Sequence, residues 1–251
     1  MRVLTDENVL IGGFIITGSA PKRIIIRGIG PSLVGVAGAL VDPTIELHDG
    51  NSTVATNDNW KTRPDGSSQQ AEIEGTAIPP SNDLESALVV TLAPGTYTTI
   101  LRGTNGTTGI GLVEAYDLDG TANSKLGNIS TRGFVDSGDN VMIGGLIVVP
   151  PNGTNGKIAV RAIGPTLSSA GIVGALQDPT LDLVNSYGVV IRSNNNWRES
   201  QQAAIMAAGF QPSDDREPAL IQVVTPGNYT AIVRGSGDTT GVALVEVYHI
   251  Q

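Results

Sequence analysis

Residues 8–18 read NVLIGGFIITG, and residues 140–150 read NVMIGGLIVVP. The first is a short apolar run, rich in β-branched residues and closed by glycine, as expected of a strand bounded by turns. Its return makes the chain a duplication. Working outward, Arg27 in RGIGPSL returns as Arg161 in RAIGPTL, and Asp42 in DPTIEL as Asp178 in DPTLDL. The Asn59-Trp60 pair returns as Asn196-Trp197. Later, PGTYTTILRG from Pro94 becomes PGNYTAIVRG from Pro226, and GLVEAY from Gly111 becomes ALVEVY from Ala243. Each copy is therefore a control on the other. What recurs is needed by the fold or by a shared site.

The spacing between equivalent residues widens through the first half of each copy and returns to its starting value at Gln69/Gln201. It then stays constant to Tyr116/Tyr248. Length changes belong in surface loops, so residues 69–116 are expected to be the rigid half. Short apolar runs at 9–16, 23–29, 44–48, 52–56, 87–92, 96–102 and 110–117 are bounded by Gly, Pro, Asn or Asp and read as strands. Pro94-Gly95 and Asn105-Gly106 are turn dipeptides. Residues 68–76 and their equivalents 200–208 read as one short helix per copy, with Ser67 or Ser68 as its cap. Residues 30–40 are rich in Gly and Pro and have room for one helical turn. The expectation is all-β: two tandem jelly-roll-like β-sandwich domains, each with one short helix. Their bounds are 1–118 and 134–251, joined by a linker and lead-in at 119–133.

Composition excludes several function classes. The formal net charge is −9, which disfavours a nucleic-acid partner, because phosphate recognition needs a basic patch. There is no cysteine, so disulfides, thiolate nucleophiles and Cys-based metal sites are ruled out. No run approaches the ~18 apolar residues of a membrane span. Charged Asp6 and Glu7 interrupt any secretory leader at the start of this chain. The two histidines, His48 and His249, are not repeated, which argues against a shared His-based triad or metal cluster. Gly28-Ile29-Gly30 runs into Pro31 and forms no dinucleotide fingerprint. No catalytic residue is assigned. Asn-x-Ser/Thr triplets stand at Asn51, Asn105, Asn128, Asn152 and Asn228 and matter only in a glycosylating host.

Three sets of repeated residues are candidates for chemistry. Arg27, Arg102 and Glu114, with their equivalents Arg161, Arg234 and Glu246, are charges within apolar strands. They read as structural ion pairs, because a buried guanidinium needs a carboxylate. Asp42, Asp58, Asp83 and Glu85, with Asp178, Asp215 and Glu217, form an acidic set able to offer oxygens to calcium. Asp58 becomes Asn195 in the second copy, which lowers the charge there. Calcium is thus an optional ligand, and no cofactor is required. Trp60 and Trp197, each beside amides (Asn57, Asn59; Asn194, Asn196), offer a sugar-stacking reading. The competing reading is a Trp that lids the sandwich.

The strings STRGFVDSGDNVMIGG, IIIRGIGPSL, ALVDPTIELHDGN, ATNDNW and NDLESALV, together with the PGTYTTILRG and GLVEAYDLD strings, resemble a tandem domain common in large bacterial secreted or cell-surface proteins. The resemblance covers almost the whole chain, twice. The DPTIELHDGN and VATNDN portion is also similar to the pre-peptidase C-terminal type of β-sandwich, which is appended to secreted enzymes. These resemblances imply an extracellular or cell-surface, non-catalytic module. The expected role is structural or adhesive, in a surface or filamentous assembly. Expected partners are further copies, neighbouring surface proteins or a polysaccharide, with no nucleic acid and no membrane insertion. The alternatives are a carbohydrate-binding module using Trp60 and Trp197 and a polysaccharide-acting hydrolase using the acidic set.

Overall fold

A computed structural model describes residues 1–50, 52–149 and 153–250. The triplet asparagines Asn51 and Asn152 lie outside the described residues. The chain divides into two compact units, Met1–Gly127 and Asn128–Gln251. No helix is long and apolar enough to cross a membrane.

Unit 1 contains β1 (Arg2–Val3), β2 (Leu10–Gly18), β3 (Lys22–Ile29), β4 (Pro43–Asp49) and β5 (Ser52–Asn57). It continues with α1 (Gln70–Glu74), β6 (Ser86–Leu92), β7 (Gly95–Gly103), β8 (Gly109–Ile110) and β9 (Leu112–Asp117). One sheet contains the order β2-β7-β4-β5 and the other is β6-β3-β9. The described pairings of these strands are antiparallel. From β2 to β7 every connection but the β4–β5 hairpin passes from one sheet to the other. This winding makes the sandwich jelly-roll-like.

Unit 2 repeats the plan. The strand β10 (Ser124–Val135) leads in, followed by β11 (Met142–Val148), β12 (Gly156–Ile163), α2 (Pro165–Ser169), β13 (Pro179–Asn185) and β14 (Val190–Asn194). Then come α3 (Gln202–Ala207), β15 (Ala219–Val224), β16 (Gly227–Gly235) and β17 (Gly241–Ile250). Its sheets contain β11-β16-β13-β14 and β15-β12-β17-β10. A register irregularity at Leu47/His48 in unit 1 recurs at Leu183/Val184 in unit 2. The bulge is thus part of the design.

Residues 119–133, expected as linker and lead-in, are largely strand, because β10 begins at Ser124. The Gly- and Pro-rich segment after β3 forms a helical turn in unit 2 alone, as α2. Its Pro165 suits a first helical turn, where no backbone N–H is required.

The unit 1 core lies between the sheets. Phe14 and Ile16 from β2, Ile24 and Ile26 from β3, and Ile45 and Leu47 from β4 meet Leu88 from β6 and Leu101 from β7. Phe14 stacks on Tyr97 with centroids 5.5 Å apart. β3 reads as an unbroken apolar run because both its faces are covered. Ile25 points away from that core into a second cluster with Trp60, Ile73 and Ala87. In unit 2 the equivalent cluster holds Ala159, Trp197, Ile205, Ala219 and Ile221. Each unit is therefore two sheets plus an outer cap made by the short helix and its Trp loop.

Candidate functional site

The groups that recur in both copies determine what each candidate does. Glu85, at the foot of β6, is fully buried. Its Oε1 accepts the backbone N–H of Gly30 (3.1 Å) and of Ser32 (2.8 Å). Its Oε2 accepts the Ser32 hydroxyl (2.6 Å) and the Asn82 N–H (3.3 Å). Glu217 repeats the bracket on Gly164 N–H (3.0 Å), Thr166 N–H (2.8 Å) and the Thr166 hydroxyl (2.8 Å). A buried carboxylate with its lone pairs filled by fixed donors anchors a turn. The bracket explains the recurrence of GIGPS as AIGPT. The Ser/Thr hydroxyl is required, and a Cβ at Gly30 would collide with the Leu40 carbonyl. Sequence reading missed this partnership; the signal was the repeated hydroxyl after IGP.

Arg27 and Glu114 face each other across β3 and β9, where they are direct register partners. The guanidinium Nε donates to Glu114 Oε2 at 3.0 Å, and Nη1 donates to the Ile78 carbonyl at 2.8 Å. The Tyr116 hydroxyl donates to Glu114 Oε1 at 2.8 Å. Arg161, Glu246 and Tyr248 repeat the set, with the Tyr248 hydroxyl 2.7 Å from Glu246. Burial, then the bond and negative charge of Glu246, push the Tyr248 phenol up to about 12. Burial and the bond to Glu114 raise Tyr116 likewise. Arg102 and Arg234 make different pairs, with Glu46 (3.1 Å) and Asp182 (3.0 Å), half-exposed on the sheet face. They belong to the sheet surface, not to the Arg–Glu–Tyr set.

Trp60 is 4% exposed and Trp197 3%. Trp60 Nε1 donates to the Asn82 carbonyl at 3.1 Å. A cation lies over each ring, Lys61 Nζ at 5.3 Å from the Trp60 centroid and the Arg198 guanidinium carbon at 4.4 Å from that of Trp197. A sugar platform needs an open ring face, so the stacking role expected for these residues does not fit; they lid the outer face of the sheet. Their flanking amides hold the same lid. Asn57 donates to the Asn59 and Thr62 carbonyls and accepts the Ala87 N–H. Asn194 donates to the Asn196 carbonyl and accepts the Ala219 N–H. Asn59 bonds Asp58, and Asn196 bonds Glu199, at the surface.

The acidic set does not converge. Among the described residues no three acidic or histidine side chains group as a metal would require. Glu85 and Glu217 are consumed by their brackets, and Asp83 and Asp215 form surface pairs with Lys61 and Arg198. Asp42 and Asp58 do come together. The Asp42 carboxyl is raised by its partial burial and then by the Asp58 charge, against a lowering bond from Thr104. In unit 2 the residue equivalent to Asp58 is Asn195, which carries no charge.

A polar groove open to solvent lies at the same place in each unit. Thr44, Glu46, Thr56, Asp58, Asn59 and Arg63 line it in unit 1. Thr180, Asp182, Ser193, Asn195 and Glu199 line it in unit 2.

No family model matches the chain, and no curated protein matches it. Solved structures show weak likenesses. The major capsid protein P2 of bacteriophage PM2 is 9% identical, covering 100% of this chain and 98% of that one, at a TM-score of 0.24. The STIV MCP is 11% identical, covering 99% and 90%, at 0.22. The M60 catalytic domain with CBM51 domains of Clostridium perfringens ZmpB is 6% identical, covering 95% and 34%, at 0.20. Scores this low carry no argument about activity or partners.

Proposed function

We propose that this chain is a non-catalytic structural module of an extracellular or cell-surface assembly, built to associate with further copies of itself. The observation that carries this reading is the fate of the repeated polar groups. Glu85, Arg27, Glu114, Asn57 and Trp60 are each spent on holding backbone or neighbouring side chains, and so are their equivalents in unit 2. Duplication here preserves a scaffold. The resemblance of the sequence to secreted bacterial tandem domains supports the extracellular setting. Static light scattering and electron microscopy of the purified chain test the reading. Concentration-dependent oligomers or filaments are expected; a monomer at the highest attainable concentration overturns it.

The second reading is glycan binding in the polar grooves, favoured by their recurrence at equivalent positions with amide, hydroxyl and carboxylate linings. Glycan-array signal is then expected, and lost on Asn59→Ala with Asn195→Ala. An array without signal removes it.

A further inference from the structure

The two polar grooves match position by position. Thr44, Glu46, Thr56 and Asn57 of unit 1 stand where Thr180, Asp182, Ser193 and Asn194 stand in unit 2. The strand carboxylate is neutralised in both, Glu46 by Arg102 at 3.1 Å and Asp182 by Arg234 at 3.0 Å. The loop rim differs by an exchange. Asp58 becomes Asn195, and further along the same loop Thr62 becomes Glu199. Each rim therefore keeps one carboxylate, at a different place on the loop. Both carboxylates are exposed. Their hydrogen-bond partners are neutral: Asp58 accepts from the Asn59 amide (3.2 Å) and the Thr104 hydroxyl (3.3 Å), and Glu199 from the Asn196 amide (2.6 Å). Arg63, the cation on the unit 1 rim, is spent on Glu72 (2.7 Å) and the Ser68 carbonyl (2.8 Å). A fixed structural bond ties a charge to one position, as with Glu85 and Glu217. A charge lost at one position and regained at another in the same groove is free of that tie. What the two grooves share is the charge they offer to whatever enters.

We infer that each groove takes an amino sugar, with its ammonium set against the rim carboxylate, Asp58 in unit 1 and Glu199 in unit 2. The inference rests on the glycan reading above and names the class of sugar. Three observations select it. The grooves enclose about 480 Å³ in unit 1 and 340 Å³ in unit 2, the size of small-ligand sites. None of the lining residues is aromatic, so a sugar ring has no platform to stack on and is held by charge and hydrogen bonds. The polar atoms on offer are mostly acceptors, and one of them, Asn195 Oδ1, is buried without a partner. Such a lining calls for a ligand rich in donors. Hydroxyls answer the Thr, Ser and Asn positions, and an ammonium answers the carboxylate with a charge-assisted bond, stronger than a neutral one. An acidic sugar or a phosphate would meet like charge in either groove.

The test titrates the intact chain, followed by NMR, with a β-1,4-linked glucosamine tetramer, its fully N-acetylated form and a β-1,4-linked glucose tetramer. The pH is chosen so that the amines are protonated and the carboxylates ionised. The glucosamine tetramer is expected to shift resonances of both grooves and to bind roughly threefold to tenfold more tightly than the other two. That preference should fall as salt rises. Asp58→Asn should abolish it in unit 1 alone and Glu199→Gln in unit 2 alone. Asp58→Asn combined with Thr62→Glu copies the unit 2 rim into unit 1 and should bring the preference back. Equal binding of the three tetramers overturns the amino-sugar inference and leaves the glycan reading standing. No binding of any tetramer removes both. A glucosamine preference that survives Asp58→Asn with Glu199→Gln puts the ammonium elsewhere and overturns the inference. A lysine oligomer that binds as tightly as the glucosamine tetramer overturns the sugar as the source of the amine.

Discussion

Glu85 is the residue on which most backbone converges, since it bridges the turn after β3 to the start of β6. Replacing it by alanine leaves buried donors without partners, and each such donor costs about 1–3 kcal/mol. Glu85→Ala is therefore expected to lower unit 1 stability by about 3 kcal/mol in denaturant titrations followed at Trp60, with Trp197 replaced by Phe. Asp58→Asn copies what unit 2 already has at Asn195. A carboxyl raised in the folded state, as Asp42 is, contributes stability that is full below its unfolded pKa and is lost as pH rises. Removing the Asp58 charge should thus stabilise by less than about 1 kcal/mol at pH 7. The gain should shrink as pH falls and Asp42 takes up its proton; equal melting shifts at pH 7 and pH 3 would refute the account. At the alkaline end the sign is the same. The raised Tyr248 phenol favours the fold below pH 10 and that contribution fades as pH climbs to about 12. Absorbance titration should show several late tyrosines, of which the latest is lost on Tyr248→Phe. Little of this was readable in advance. The Arg–Glu partnership followed from repetition, whereas Glu85 looked like a calcium ligand because sequence spacing cannot show that its lone pairs are already filled by turn amides.

At the scale of elements, the strands were legible and the length of the helix was not. Periodicity placed all seven main strands of unit 1 within a residue or two, because each is bounded by Gly, Pro, Asn or Asp. The helix was placed too long, and a serine cap was expected. In the structure α1 starts after Gln69, which has no side-chain cap bond, while the Ser68 hydroxyl accepts the Gln70 N–H at 3.3 Å. The Gln69 side chain turns inward and donates to the Ala87 carbonyl at 3.2 Å, so tertiary bracing adds to the local serine bond. So short a helix is held by docking and not by its own propensity. Ile73→Ala should accordingly cost about 2–5 kcal/mol. It should also shift Trp60 emission to longer wavelength as the lid loosens; unchanged emission would show that the helix does not hold the Trp loop. The strand at β10 was missed because polar residues such as Ser130, Thr131 and Arg132 alternate with few large apolar ones, and its fit depends on the edge it covers.

At the scale of the whole molecule, the duplication shows which solutions are shared and which are private to one unit. Lys22, fully buried in unit 1, pairs with Asp117 at 2.9 Å, yet the equivalent position in unit 2 is Gly156. The net charge of −9 sets long-range repulsion between copies. Association should strengthen as salt rises or as pH approaches the sequence pI of 4.6, read by light scattering. Weaker association under those conditions would mean that attraction between charged surfaces drives it.

The winding of strands between the sheets also has a cost in time. β2 finds its ladder partner β7 only after roughly 80 further residues have been made, which at ribosomal speeds is about 4–16 s. During that interval the nascent LIGGFIIT run is an unpaired, aggregation-prone ribbon. The Gly12-Gly13 step at its centre lowers its intrinsic strand propensity, which fits a segment that must wait for its partner. In unit 2 the equivalent Gly144-Gly145 step meets the same delay before β16 emerges. The glycine pair thus has a second reading, as protection for the chain while it is still being synthesised.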